Sequence, residues 1–188
     1  WGRNSDGQLG DGTTTDRYSP VAVRRLTGAA AVAAGGSHSL ALRDDGTVRA
    51  WGDNVLGQLG DGTATDRYSP VAVQGLTGAA AVAAGGVHSL ALRDDGTVRA
   101  WGYNFDGELG DGTTTDRYSP VAVRRLTGAA AVAAGGSHSL ALQGGGPGSP
   151  ASKDDCKKGG WREYGFRNQG QCVASVVRGG RPPGRHNT

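Results

Sequence analysis

The sequence predicts an all-β chain: a partial β-propeller of about three blades, followed by a small disulfide-closed C-terminal segment. Three observations carry that reading. One fifty-residue unit recurs almost unchanged from Trp1, Trp51 and Trp101, and a fixed period of that length is the mark of an architecture built by stacking. Within each unit the apolar residues fall in short runs bounded by Gly, Asp, Asn or Pro, which are the lengths and borders of strands. The 188 residues include 35 glycines and only 6% aromatics, a composition suited to many short elements and turns and poorly suited to a helical bundle.

The units span residues 1–50, 51–100 and 101–142. In the first, residues 19–23 (SPVAV), 30–34 (AAVAA), 38–42 (HSLAL) and 47–51 (TVRAW) read as four short antiparallel strands. Asp44-Asp45-Gly46 supplies the positive φ that a tight hairpin needs between the last two. Alanine is the best helix former, so residues 29–34 offer a helical alternative. Gly28, Gly35 and Gly36 leave that helix barely two turns, which favours the strand. The small residues Ala29, Ala31, Ala33 and Gly35 suit a close approach of neighbouring sheets, and Leu9, Val21, Val23, Leu26, Leu40, Leu42, Val48 and Trp51 supply the filling. A four-stranded sheet of this size cannot bury both faces alone and must pack on the next copy, as a propeller blade does.

Residues Trp51-Gly52-x-Asn54-x-x-Gly57-Gln58-Leu59-Gly60-Asp61-Gly62, then Ser69-Pro70-Val71-x-Val73, Ala84-Gly85-Gly86-x-His88-Ser89-Leu90-Ala91-Leu92 and Asp95-Gly96-Thr97-Val98-x-x-Trp101-Gly102 resemble the repeat of the regulator of chromosome condensation (RCC1-type) family. The resemblance covers residues 1–142. It implies a propeller, and because such propellers usually have about seven blades, about three leave closure within this chain in doubt. An open arc with sticky ends is the expectation for the isolated chain, with self-association through those ends as its consequence. The family's founding member is a nucleotide exchange factor for a small GTPase that docks on chromatin, so the resemblance also carries a regulatory alternative.

His38, His88 and His138 recur once per unit. One residue per blade separates equivalent side chains by about 10 Å or more, too far to share one zinc ion, so a structural role is expected and no metal is assigned. Trp51 and Trp101 are read as structural in the same way. Successive strand residues point to opposite faces, so His38 and Ser39 do not make a nucleophile and base pair. Asn4, Asp6, Asp11 and Asp16 could offer oxygens to calcium, but their spacing does not fit a calcium loop and turn formation is the simpler reading. No phosphate-binding loop is present, and no cofactor is expected.

Substitutions between the units are informative because they cluster. Arg3, Ser5 and Asp6 become Asp53, Val55 and Leu56 in the second unit; in the third, Arg3 and Ser5 become Tyr103 and Phe105 while Asp106 keeps the aspartate of Asp6. These nine positions follow the Trp-Gly, where a strand gives way to a loop, and loops on a rigid scaffold carry binding specificity. Unselected drift at exposed positions is the alternative.

The rest of the chain differs in kind. The net charge is +3, yet residues 143–188 hold eight Lys/Arg against three Asp/Glu, which leaves the repeats at −2. Residues 143–151 have the Gly/Pro composition of a linker. Residues 152–178, with Cys156, Trp161, Tyr164, Phe166 and Cys172, resemble a short module of exported proteins from high-GC Gram-positive bacteria. A bridge between the cysteines would close a loop of about 15 residues, worth ~3 kcal/mol by chain entropy, in a segment too small to build a core without one. Free thiols are the alternative. Residues 179–188 read as a disordered tail.

The expected function is therefore a non-enzymatic binding protein, extracellular or at a cell surface, whose partner is a protein or a cell-surface polymer. The alternatives are an exchange-type regulator by family analogy, and nucleic-acid binding through the basic tail, for which no motif is present. No apolar run approaches the roughly 18 residues of a membrane span. The sequence has no methionine and opens in mid-repeat, which suggests a piece of a longer product whose targeting segment would lie outside it.

Overall fold

A computed structural model of the chain describes residues 1–144. The chain divides into two units, Trp1–Leu142 and Gln143–Thr188. The linker beyond Gly144, the two-cysteine module with Cys156 and Cys172, and the tail at 179–188 lie outside the described residues.

Every regular element among the described residues is a strand. Strands β1 (Ala29–Ala34), β2 (His38–Arg43), β3 (Val48–Gly52) and β4 (Arg67–Ala72) form one antiparallel sheet in that order. Strands β5 (Ala79–Ala84), β6 (His88–Arg93), β7 (Val98–Gly102) and β8 (Arg117–Ala122) form the second, and β9 (Ala129–Ala134) with β10 (Ser139–Gln143) the third. The alanine run is thus a strand rather than a helix. Pairing β1 with β2 in the register Ala31↔Leu42 to Ala34↔Ser39 satisfies a backbone that two helical turns would leave half unpaired. The β2–β3 hairpin turns at Asp44-Asp45-Gly46, with Gly46 at φ +73° and the Asp45 carboxylate accepting the Thr47 N–H and O–H.

The frame of the sheets is offset from the frame of the sequence units. Each complete sheet takes three strands from the end of one unit and its fourth from the middle of the next, so neighbouring units are laced together by backbone hydrogen bonds. The offset corrects one expected strand. Residues 19–23 are not a strand, because the strand that would pair with them is represented here by Trp1 and Gly2, leaving a single bridge between Gly2 and Arg17.

The sheets pack face on face. Leu40, Leu42, Val48 and Ala50 of the first meet Leu59, Val73, Leu76, Ala79, Ala91 and Trp101 around the second. The alanine-rich strands β1, β5 and β9 run side by side, and the small residues allow their ends to converge. There the Gly36 N–H donates to Gly85 O at 3.1 Å, and a Cβ on Gly36 would stand 2.6 Å from Gly86 O, so no other residue fits.

Candidate binding site at the loop tips

Each loop that follows a Trp-Gly pair is built on a buried asparagine. In the second unit the Asn54 amide donates to Asp61 Oδ1 (3.1 Å), Thr63 O (3.0 Å) and Thr65 O (3.0 Å), while its Oδ1 accepts the Leu59 N–H (3.0 Å). Its backbone N–H donates to Asp66 Oδ1 at 2.8 Å. Asp61 in turn accepts the Thr63 N–H and O–H on one oxygen and the Arg67 guanidinium on the other. Asn4 and Asn104 repeat this knot with Asp11, Asp16 and Arg17 and with Asp111, Asp116 and Arg117. The pairing is strong enough to hold carboxylates ionised. Thr13 and Arg17 hold Asp11 at about 2, and for Asp111 the upward pull of burial is outweighed by Thr113 and Arg117, again giving about 2. These carboxylates are committed to the loop's own backbone and side chains, and among the described residues no group of three His, Cys, Asp or Glu is placed to hold a metal ion.

The nine variable positions sit on this knot. Arg3, Ser5, Val55, Phe105 and Asp106 are exposed, and Asp6, Asp53, Leu56 and Tyr103 are half-buried. The tips differ in chemistry. In the first, Arg3 donates to Ser5 Oγ at 2.8 Å and lies 3.7 Å from the Asp6 carboxylate, a closed polar network. In the second, the Val55 N–H donates to the Asp53 carboxylate, and the exposed Val55 side chain stands beside the half-buried Leu56. In the third, Tyr103 and Phe105 stack with ring centroids 6.4 Å apart and 21° between planes, and Asp106 lies beside them.

The recurrent histidines are elsewhere. His38 and His88 are buried between sheets, with Nε2 2.9 Å from Ser89 Oγ and 3.0 Å from Ser139 Oγ respectively, whereas His138, just before β10, is exposed. Trp51 and Trp101 are buried and donate their indole N–H groups to Gln8 O and Gln58 O, both at 2.9 Å.

Sequence reasoning treated the Asn and Asp residues as one group of turn formers and missed Asn4, Asn54 and Asn104 as hubs. The signal was available, since each is an invariant residue between two variable ones. It also missed Ser89 and Ser139, whose partners lie 51 residues away in the neighbouring unit.

These features define a class: a propeller-type repeat array with a fixed loop frame and variable tips. The chain belongs to the regulator of chromosome condensation (RCC1) repeat family, whose model matches residues 1–42, 45–92 and 95–142. A second model of the same repeat matches residues 29–58 and 79–108. Among solved structures, Prp20p from Saccharomyces cerevisiae is similar at 25% identity and TM-score 0.65, over 75% of this chain and 38% of that one. Human WBSCR16 is similar at 26% identity and TM-score 0.67, over 77% and 39%. This chain thus spans less than two fifths of either protein. No curated protein matches it.

Proposed function

We propose that this chain is a non-enzymatic protein-interaction module that reads its partner with the loop tips at residues 3–6, 53–56 and 103–106. One observation carries the reading: three substituted positions fall together on exposed or half-buried residues of each tip, while the hydrogen-bonded knot one residue away is the same three times. A rigid frame with a changing tip is the arrangement of a recognition loop. The three tips offer a cation and an acid, two aliphatics beside an acid, and an aromatic pair beside an acid. That combination suits a protein surface with an apolar patch flanked by charge. The similarity to Prp20p, a protein described by its binding to Gsp1p and histones, supports protein binding as the class of activity.

The proposal places the chain outside the cell, on the resemblance of residues 152–178 to an exported module and on the bridge that Cys156 and Cys172 could form there. Recovery of Cys156 and Cys172 as free thiols from unreduced protein would count against that placement.

The test is a chain whose tips are all made like the first: Asp53→Arg, Val55→Ser, Leu56→Asp, Tyr103→Arg and Phe105→Ser. Quantitative capture from cell-surface and secreted fractions should lose its enriched protein partner, by about tenfold or more, while the fold is retained. Equal capture by both chains would refute the tips as the site, and enrichment of a glycan without protein would reassign the partner class. The exchange-factor alternative makes a separate demand, namely faster release of nucleotide from a small GTPase, and the expected result here is no acceleration.

A further inference from the structure

The third loop tip differs from the other two in a change that lies beneath its surface. Gln8, Gln58 and Glu108 hold equivalent places, and each side chain accepts the backbone N–H two residues before it, from Asp6, Leu56 and Asp106, at 3.0 Å. In the third unit a carboxylate therefore stands where the others keep a neutral amide. Glu108 is only 5% exposed, and its Oε1 meets no hydrogen-bond partner among the described residues. This is not peculiar to the last unit, because Gln58 Nε2 has no partner either, although a unit stands on each side of it. A buried carboxylate oxygen without a donor is costly, and the cost falls when a cation is brought to it.

The residues around Glu108 suit such a cation. Tyr103 and Phe105 hold their rings nearly parallel, with 21° between planes and centroids 6.4 Å apart. A cation is drawn to an aromatic face within about 6 Å of its centroid, so one cation seated over this pair reaches both rings. Phe105 is 70% exposed, and its counterpart Val55, in the unit flanked on both sides, is 62% exposed, so the exposure belongs to the tip and not to the end of the array. Asp106 is exposed beside the rings, and Asp116 is held at the same tip by the Asn104 N–H at 2.8 Å. Partial desolvation and then the charges of Asp106, Glu108 and Asp116 keep the Tyr103 phenol above its usual pKa, which puts three carboxylates within electrostatic reach of one ring.

The first tip shows how such an acid is neutralised from within the chain, since Arg3 lies 3.7 Å from the Asp6 carboxylate. The third tip keeps the aspartate but puts Tyr103 in place of that arginine. Arg117 is committed to Asp111 at 2.7 Å, and among the described residues no Lys or Arg pairs with Asp106, Glu108 or Asp116.

We propose, on the reading that the tips contact a protein partner, that the third tip takes an arginine side chain of that partner, its guanidinium laid over Tyr103 and Phe105 and bonded to Asp106, with Glu108 adding charge from beneath. Arginine fits better than lysine because its planar, weakly hydrated guanidinium stacks on aromatic rings and grips a carboxylate through two N–H groups. The same carboxylates repel polyanions.

The test is a titration of the isotope-labelled full chain, followed by amide chemical shifts, with three short peptides that differ only in a central arginine, lysine or citrulline. The arginine peptide should shift amides at residues 103–108 and bind at least about fivefold more tightly than the citrulline peptide, which keeps the shape and lacks the charge, with lysine between them. Phe105→Ser and Glu108→Gln each install the residue that another unit carries at that place, so both should fold, and each should weaken the arginine peptide by about threefold or more. Equal binding of arginine and citrulline, or variants that bind like the parent, would overturn the proposal. Capture of the partner separates this inference from the reading beneath it, because the chain with all tips made alike keeps Glu108. Loss of capture by that chain with full capture by Glu108→Gln would overturn the arginine contact and leave the tips as the site.

Discussion

His38 Nε2 lies 2.9 Å from Ser89 Oγ and ties β2 of one sheet to β6 of the next. The Ser89 hydroxyl donates its proton to Gln58 O at 2.8 Å, so its oxygen accepts and the imidazole carries its proton on Nε2. His38 Nδ1 meets no hydrogen-bond partner among the described residues. The contact therefore works with a neutral histidine. Ser89→Ala would leave the Nε2–H without a partner and Gln58 O with the Trp101 indole alone, and should cost about 1–3 kcal/mol. In urea unfolding, a double-mutant cycle of His38→Ala and Ser89→Ala should return a coupling of about 0.5–3 kcal/mol. Additive losses would mean that the two residues act separately.

The same histidine sets a pH limb. Burial, helped by the neighbouring His88, lowers the pKa of His38 from 6.5 to about 4. The unfolded chain therefore binds a proton that the folded chain refuses between those values, and stability must fall as the pH drops from about 6.5 towards 4. The contribution is fully present above the upper value and amounts to ~3 kcal/mol. Urea midpoints measured across that range should show the decline, and His38→Gln should flatten it. A second decline is expected as the pH falls from 3.8 towards about 2, where the unfolded chain takes up protons that Asp11 and Asp111 refuse in the folded one.

Asn54 is the residue on which its loop depends. Asn54→Ala removes three amide donations and one acceptance at a fully buried position, leaving the Thr63 and Thr65 carbonyls and the Leu59 N–H to find other partners. A loss of roughly 2–4 kcal/mol is expected, together with faster amide exchange over residues 55–66. Asn54→Asp keeps the acceptor but sets a second carboxylate against Asp61, and should be no better.

Arg25 and Arg125 adopt φ of 53° and 56°, a left-handed backbone that the second unit gives to Gly75 at 66°. An L side chain there costs about 1–2 kcal/mol. Arg25→Gly and Arg125→Gly should each raise the melting temperature, opposite to the usual effect of a glycine, because the strain relieved exceeds the entropy added to the unfolded chain. Gly75→Arg should lower it.

What could be read from the sequence was what repeats within one unit. The fifty-residue period, the Asp45-Gly46 turn and the choice of strand over helix at residues 29–34 all rest on neighbours in sequence, and the structure has them. The phase of the sheets was not readable, because a period fixes a length and not the point at which β4 of one unit joins β3 of the unit before. His38 with Ser89, and Trp101 with Gln58 O, were hidden for a related reason: their partners are 51 and 43 residues away, and identical units give no pattern that says which copy supplies which half. At the tips the variable residues were visible, but the knot beneath them was not. It assembles from Asn54, Asp61, Thr63, Thr65, Asp66 and Arg67, and ordinary turn chemistry explains each of those residues taken singly.

The central claim is that partners are read by the tips, and the footprint of a captured partner tests it most directly. The β2–β3 and β6–β7 hairpins at residues 44–46 and 94–96 lie at the far ends of the strands that lead into the tips at 53–56 and 103–106, so the two surfaces are separable by hydrogen–deuterium exchange. Complex formation should slow exchange at residues 3–6, 53–56 and 103–106 and leave the hairpins unchanged. Protection of residues 44–46 and 94–96 with unchanged tips would contradict the account.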